Sequence, residues 1–317
     1  MRSIAESWAT RPVWLKFEFG EFQLFTVRFQ LMVLDVHFTE LGDDPSATWP
    51  GWNSVPAGVE GALVRSHPAS TELPVLRVSE DVIQYIPAQY HRHFTDLRGT
   101  FDSYIKTHSR KSMRERNREL SRFERHSGGS VDFRSYRTTV EVDEFLQLAI
   151  PLAKRTFQTR LLGVGLPDTE KSIAHIRSLA ARDRIRGYLL FHGGQPVSYL
   201  LNEVRDNGIV IGLYTGYDPE FRKFSVGTLV WFKALESLFA EGGLRMMDYT
   251  EGEGTHKQYF GTGSQRCVDV YFLRRTLRVR VLLAIHMRLE ALSKWIVSTL
   301  DRLGLKARVK KLIRRRA

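Results

Sequence analysis

The chain has 317 residues, of which 43% are hydrophobic and 26% charged, enough for a packed core and more than one small domain. Its 47 Lys and Arg outnumber 35 Asp and Glu, leaving a net charge of +12 that suits phosphate-bearing or polyanionic partners. The lone Cys267 excludes an internal disulfide framework, and no apolar run reaches the roughly twenty residues of a membrane span.

Cys267, beside Val268, reads as a buried strand thiol in a reducing compartment. MRSIAESWATRPVW lacks the apolar region of a signal peptide, so a cytoplasmic location is expected. Residues 13–19 and 22–38 alternate as strands, and 43–58 crowd Pro, Gly, Ser and Trp into a loop. His91 and His93 form an H-x-H without a third ligand nearby; an exposed edge or basic patch is the preferred reading, and no metal is expected. Residues 101–125 predict one strongly basic helix. Glu115 and Glu119, like Arg118 and Arg122, are like-charged at i,i+4, so the arginines read as phosphate-facing more than as helix-stabilising.

From residue 130 the pattern becomes regular. A strand is predicted over 130–138, a helix over 142–158 broken or kinked at Pro151, and a helix over 169–183 capped by Thr169. Strands 185–192, 195–204 and 209–217 are separated by Gly193-Gly194 and Asp206-Asn207-Gly208, both hairpin signals. The third is apolar throughout Ile209–Leu213 and should be central. A largely buried helix follows over 227–243, then a strand over 244–250, a loop with a short helix over 251–263, and a last strand over 266–273.

The turn Arg222-Lys223-Phe224-Ser225-Val226-Gly227-Thr228 lies between strand and helix. The first amides of a helix lack internal partners and the dipole adds positive charge there, so cations, small residues and a capping hydroxyl at that point make an anion site. Many loops that enter helices share this pattern for capping alone. Arg222-x-x-Ser225-x-Gly227, in this element order, resembles the acyl-CoA-binding turn of the GNAT acyltransferase superfamily, with Ser225 in place of the usual first glycine. Gly216-Tyr217-Asp218-Pro219, Ser225-Val226-Gly227-Thr228 and Asp248-x-x-Glu251-Gly252, with Lys257 and Phe260, look like the CelD-like acetyltransferase branch. The basic stretch from Ser109 to Leu120 does too, while Val226 stands where proline is usual. That branch is found in bacterial polysaccharide clusters and is related to the FemAB peptidyltransferases. The resemblance covers roughly residues 80–275.

It implies an α/β (α+β) fold: a GNAT-like mixed sheet with flanking helices, paired with a degenerate N-terminal half. The divisions expected are 1–125, strand-rich and ending in the basic helix; 126–275, the acyltransferase domain; and 276–317, an amphipathic basic tail. It also implies acetyl-CoA or another acyl-CoA as cosubstrate, held by Arg222, Lys223, Ser225, Val226, Gly227 and Thr228. The acceptor would be an amine or hydroxyl, often on a sugar, with no DNA partner. Rival readings are aminoacyl transfer from tRNA, as in FemAB relatives, and a non-catalytic assembly factor of the same fold.

Acyl transfer needs a base for the acceptor, stabilisation of the oxyanion and a departing thiolate. The resemblance implies that the fourth and fifth strands diverge around the thioester, where Asp248, Glu251, Glu253, His256, Lys257 and Tyr259 cluster. Glu251 is the first candidate for the base, Tyr259 or His256 for protonating the thiolate, and Lys257 for neutralising an acidic acceptor. Each has a plainer reading: Asp248 caps the next loop, Lys257 pairs with Glu253, and His256 is an ordinary surface histidine.

Beyond residue 276, Leu282, Ile285, Leu289, Leu292, Ile296 and Leu303 form a helical apolar stripe, and LKARVKKLIRRRA ends the chain. One reading packs the helix on the protein with a solvated basic tail. The other is a peripheral foot on an anionic membrane.

Overall fold

The computed structural model describes residues 7–20, 22–156, 165–252 and 254–302. Glu253 and the basic tail beyond Arg302 lie outside the described residues. Two compact units divide the chain: one runs up to His91 and resumes at Gln265, and the other spans Arg92–Ser264.

In the first unit β1 (Trp8–Phe19) and β2 (Phe22–Leu34) form a long antiparallel hairpin. Val13, Leu15 and Phe17 alternate inward along β1 while Trp14 faces out, the period of two that made this segment readable. β2 runs parallel to β3 (Gly61–Pro68), and β3 antiparallel to β12 (Gly263–Arg274). β12 also pairs with β5 (Val82–Tyr85), and β5 with β4 (Leu76–Val78). At the β3–β12 contact Gly61 is obligatory, because a Cβ there would lie 2.0 Å from the Phe272 carbonyl oxygen. Helix α7 (Leu277–Arg302) lays Val279 and Leu283 against Phe17 and Phe29. The Tyr85 hydroxyl and Nδ1 of buried His286 share a 2.6 Å hydrogen bond, and that ring's Nε2 meets the Lys16 carbonyl. Cys267 is fully buried in β12, as its neighbours predicted.

The second unit holds a mixed sheet in the order β6–β11–β10–β9–β8–β7. Its strands are β6 (Gln89–Asp96), β7 (Asp132–Tyr136), β8 (Ile185–His192), β9 (Gln195–Val204), β10 (Ile209–Tyr217) and β11 (Met246–Asp248). The two glycine-bearing turns place β8, β9 and β10 at the boundaries their sequence predicts. The basic stretch is two helices, not one: α1 (Phe101–Lys106) and α2 (Arg110–His126). Ser109 breaks it by capping α2, its hydroxyl accepting from the Ser112 amide, while Thr100 and Ser103 form a capping box on α1. Helix α3 (Thr139–Arg155) runs through Pro151 instead of breaking; Pro151 lies near its end on the exposed side, where the lost bond faces water. Thr169 caps α4 (Glu170–Ala180) as expected.

Helix α5 (Val226–Glu241) buries Leu229, Val230, Leu235 and Leu238 in a core shared with Tyr188, Leu200 and Val210. A second core lies under α3 and α4, around Phe145, Leu152, Ile176, Leu189 and Leu201. These two layers clamp the sheet between helices. Short helix α6 (Thr255–Phe260) follows β11.

Candidate active site

The site begins with a parallel pair that stops early. β10 pairs with β11 only at Ile209–Met246, Val210–Met247 and Ile211–Asp248, then continues to Tyr217 while β11 ends. Opposite β9, β10 carries a bulge between Gly212 and Tyr214, the irregularity that re-aims a strand beside a site. Gly212 is pressed against Trp231, whose ring would sit 3.2 Å from a Cβ there. Over the opening lies a cleft of about 320 Å³, lined by Thr215, Gly216 and Tyr217 of β10, Arg222, Ser225, Val226, Gly227 and Thr228 of the turn, Trp231 and His256.

The turn is built by a short helical stretch, Pro219–Phe224, which Asp218 caps by accepting the Glu220 amide at 3.1 Å. Ser225 then adopts the left-handed conformation, φ 56° and ψ 30°, unusual for a residue with a side chain. Its carbonyl accepts from the amides of Thr228 and Leu229 at 2.8 and 3.0 Å, so helix geometry leaves those of Val226 and Gly227 as first-turn donors. The Ser225 hydroxyl does not cap α5; it donates to Glu119 Oε1 on α2 at 2.6 Å. Val226 is fully buried, so it offers backbone only. A Cβ on Gly227 would lie 2.8 Å from the Tyr217 ring: this glycine lets the helix start sit against β10. Arg222 is an exposed cation that lines the cleft and Lys223 an exposed cation next to it in the turn, and Arg122 of α2 donates to the Lys223 carbonyl. Amide donors, two cations and a residue without a side chain fit a phosphate ester.

Of the five candidate catalytic side chains, His256 is the one that lines the cleft. Its ring stacks on Trp231, centroids 6.0 Å apart. Burial first, then the charge of Lys257, pushes its pKa down to about 4, so the ring is neutral at ordinary pH, with one nitrogen unprotonated. Asp248 is fully buried and paired with Arg92 at 2.5 Å, and its Oδ1 accepts the Thr250 amide at 2.8 Å; it holds the bend after β11, as the capping reading has it. Glu251 is exposed, and its carbonyl accepts from Lys257 Nζ at 2.6 Å. Lys257 thereby ties the bend to α6. The Tyr259 hydroxyl is turned to the Ser112 carbonyl, 3.5 Å away, and the guanidinium of Arg116 lies over its ring, 4.7 Å from the centroid. Sequence reasoning missed Thr215 and Trp231, although strand alternation and the turn of α5 place both beside the turn residues. Among the described residues no group of three or more His, Cys, Asp or Glu is set to hold a metal.

Residues 108–258 match the family model of the acetyltransferase (GNAT) domain. Over that stretch the chain is similar to GNAT domains, and it is an acyltransferase. The expected mixed sheet with flanking helices is the fold that this domain has. No curated protein matches the chain. Solved structures similar to it include the C-terminal domain of a proposed lysylphosphatidylglycerol synthetase from Agrobacterium fabrum, 12% identical, covering 68% of each chain at a TM-score of 0.48. L-PGS from Bacillus licheniformis is 13% identical over 71% of this chain and 72% of its own, TM-score 0.46. A conserved protein of unknown function from Bacteroides thetaiotaomicron is 9% identical over 67% and 69%, also 0.46. The assignment to GNAT rests on the domain match.

Proposed function

We propose that the chain transfers an acyl group, acetyl in the first place, from coenzyme A to an amine or hydroxyl. The observation that supports this most is a single cleft joining the helix-start anion turn, the opening between β10 and β11 and a neutral histidine. Arg222, Lys223 and the amides of Val226 and Gly227 hold the diphosphate, and Ser225 and Thr228 complete the turn. His256 takes the acceptor's proton as the acceptor nitrogen or oxygen bonds the acyl carbon; the carbon–sulfur bond then breaks, and the thiolate leaves as the thiol by taking that proton from the imidazolium. Donors along the open edge of β10 face the oxyanion. The acceptor is a sugar of envelope polysaccharide, by analogy with the CelD-like branch. Glu251, Asp248, Lys257 and Tyr259 shape the bend and α6 around the histidine.

Isothermal calorimetry with acetyl-CoA, followed by turnover on a panel of amino sugars, tests the reading. Micromolar binding and a fall of about a hundredfold in kcat for H256Q, with E251Q near the parent, are expected. No binding of acetyl-CoA would sink it; equal loss in E251Q would move the base back to Glu251.

A second reading, aminoacyl transfer from tRNA, draws on α2, where Lys111, Arg114 and Arg118, with one acid, Glu115, line a hollow of about 340 Å³. Peripheral contact with anionic lipid belongs to the proposal too. Leu277, Val281, Ile285, Leu292 and Trp295 lie exposed along α7, with Arg280 and Arg288 exposed among them.

A further inference from the structure

The hydroxyl of Ser225 is spent on α2 instead of on its own helix. It donates at 2.6 Å to Oε1 of Glu119, whose other oxygen takes Arg116. Arg116 is 7% exposed and lies over the rings of Tyr259 and Phe260 at 4.7 and 5.9 Å. One turn further along α2, Arg122 donates to the Lys223 carbonyl and stands 5.8 Å from the Phe224 ring. The same helix therefore grips the anion turn at two successive points, and a buried arginine anchors one of them.

This arrangement is odd unless it has a task. A carboxylate beside a turn built for anions repels the ligand, and a left-handed serine stores strain. Arg116 cancels the first cost, being paired with Glu119 in a poorly hydrated place. Glu119 offsets the second, because its bond fixes the hydroxyl of the one residue whose φ directs the first-turn amides of α5 outward.

We infer that Glu119, backed by Arg116, is a positioning residue for the phosphate turn: it holds Ser225 left-handed so that the Val226 and Gly227 amides point at the diphosphate. This rests on the acyl-CoA reading above. Neither residue touches the acyl group, so their effect falls on the phosphate end of the ligand. Arg116 is a support for Glu119 and not a phosphate ligand, because its guanidinium is buried against rings.

Calorimetry with two probes separates positioning from general support of the fold: acetyl-CoA, and S-acetylpantetheine, which lacks the diphosphate. E119A and S225A should each weaken acetyl-CoA binding about tenfold, the worth of one hydrogen bond to a charged group. Both should bind S-acetylpantetheine as the parent does. The double variant should be no worse than either single one, since both remove the same bond. S225A leaves the Arg116–Glu119 pair intact, so it carries the test should E119A fail to fold. Parental affinity for acetyl-CoA in S225A, or equal losses for both probes, would overturn the positioning role while leaving the acyl-CoA reading standing. Absence of acetyl-CoA binding by the parent would overturn both.

Discussion

A histidine pressed on an indole beside a lysine holds its proton less tightly than one in water, and this gives His256 a measurable signature. Its pKa is about 4 in the fold against an ordinary 6.5. Between those values the unfolded chain binds a proton that the folded chain refuses. Stability is therefore full above about pH 6.5 and is lost as pH falls toward 4. The difference in Tm between the parent and H256Q should shrink steadily over that window as pH drops; a constant difference would mean the ring titrates normally. The sequence located the cluster after β11 but could not order its members. Asp248 and Glu251 look alike as acids in a loop, yet one is sealed against Arg92 and the other is in solvent. Which side chain turns inward depends on the Asp248 turn and the left-handed Thr250 after it. Arg116 and Glu119 were hidden for a similar reason, inside a stretch whose arginines all read alike as phosphate-facing.

Elements were legible wherever the turn chemistry was explicit. β8 to β10 follow from Gly193-Gly194 and Asn207-Gly208, since few residues other than glycine accept the positive φ these hairpins need. Short strands in the first unit were not separable in advance, because β4 and β5 draw their stability from partners distant in sequence. β6 lacked a periodic signal for the same reason. Gly61 shows what such pairing demands. G61A would drive a methyl into the backbone of Phe272, which cannot swing aside as a side chain can. The variant should lose about 3 kcal/mol or more in urea unfolding; a loss under about 1 kcal/mol would mean that β3 and β12 can separate freely at this point.

At the scale of the whole molecule, the +12 charge was legible but not its purpose. Cations paired internally, as in Arg92–Asp248 and Arg186–Glu241, are already balanced, and the excess is what remains. The lipid-contact proposal concerns the remainder. The chain should sediment with phosphatidylglycerol vesicles at low salt and be released by high salt, as screened charge requires. A chain ending at Gly304 and bearing W295S and L292S should stay in the supernatant. Equal sedimentation of both, or of neither, would leave α7 and the tail as solvated surface.

The discontinuity of the first unit has a consequence for how the protein is born. Ala62 pairs with Phe272, and the aromatic core of the β1–β2 hairpin is completed by Val279 and Leu283. A ribosome delivers β1 to β5 first, and their partners only after the whole of Arg92–Ser264 has followed. The contiguous middle can reach its fold during synthesis, whereas the opening strands must wait with one edge unpaired and Phe17 and Phe29 uncovered. Long loop closure makes that last step slow. For this interval the nascent chain is a substrate for chaperones and proteases at its opening strands, and the arrival of β12 and α7 acts as its release from them.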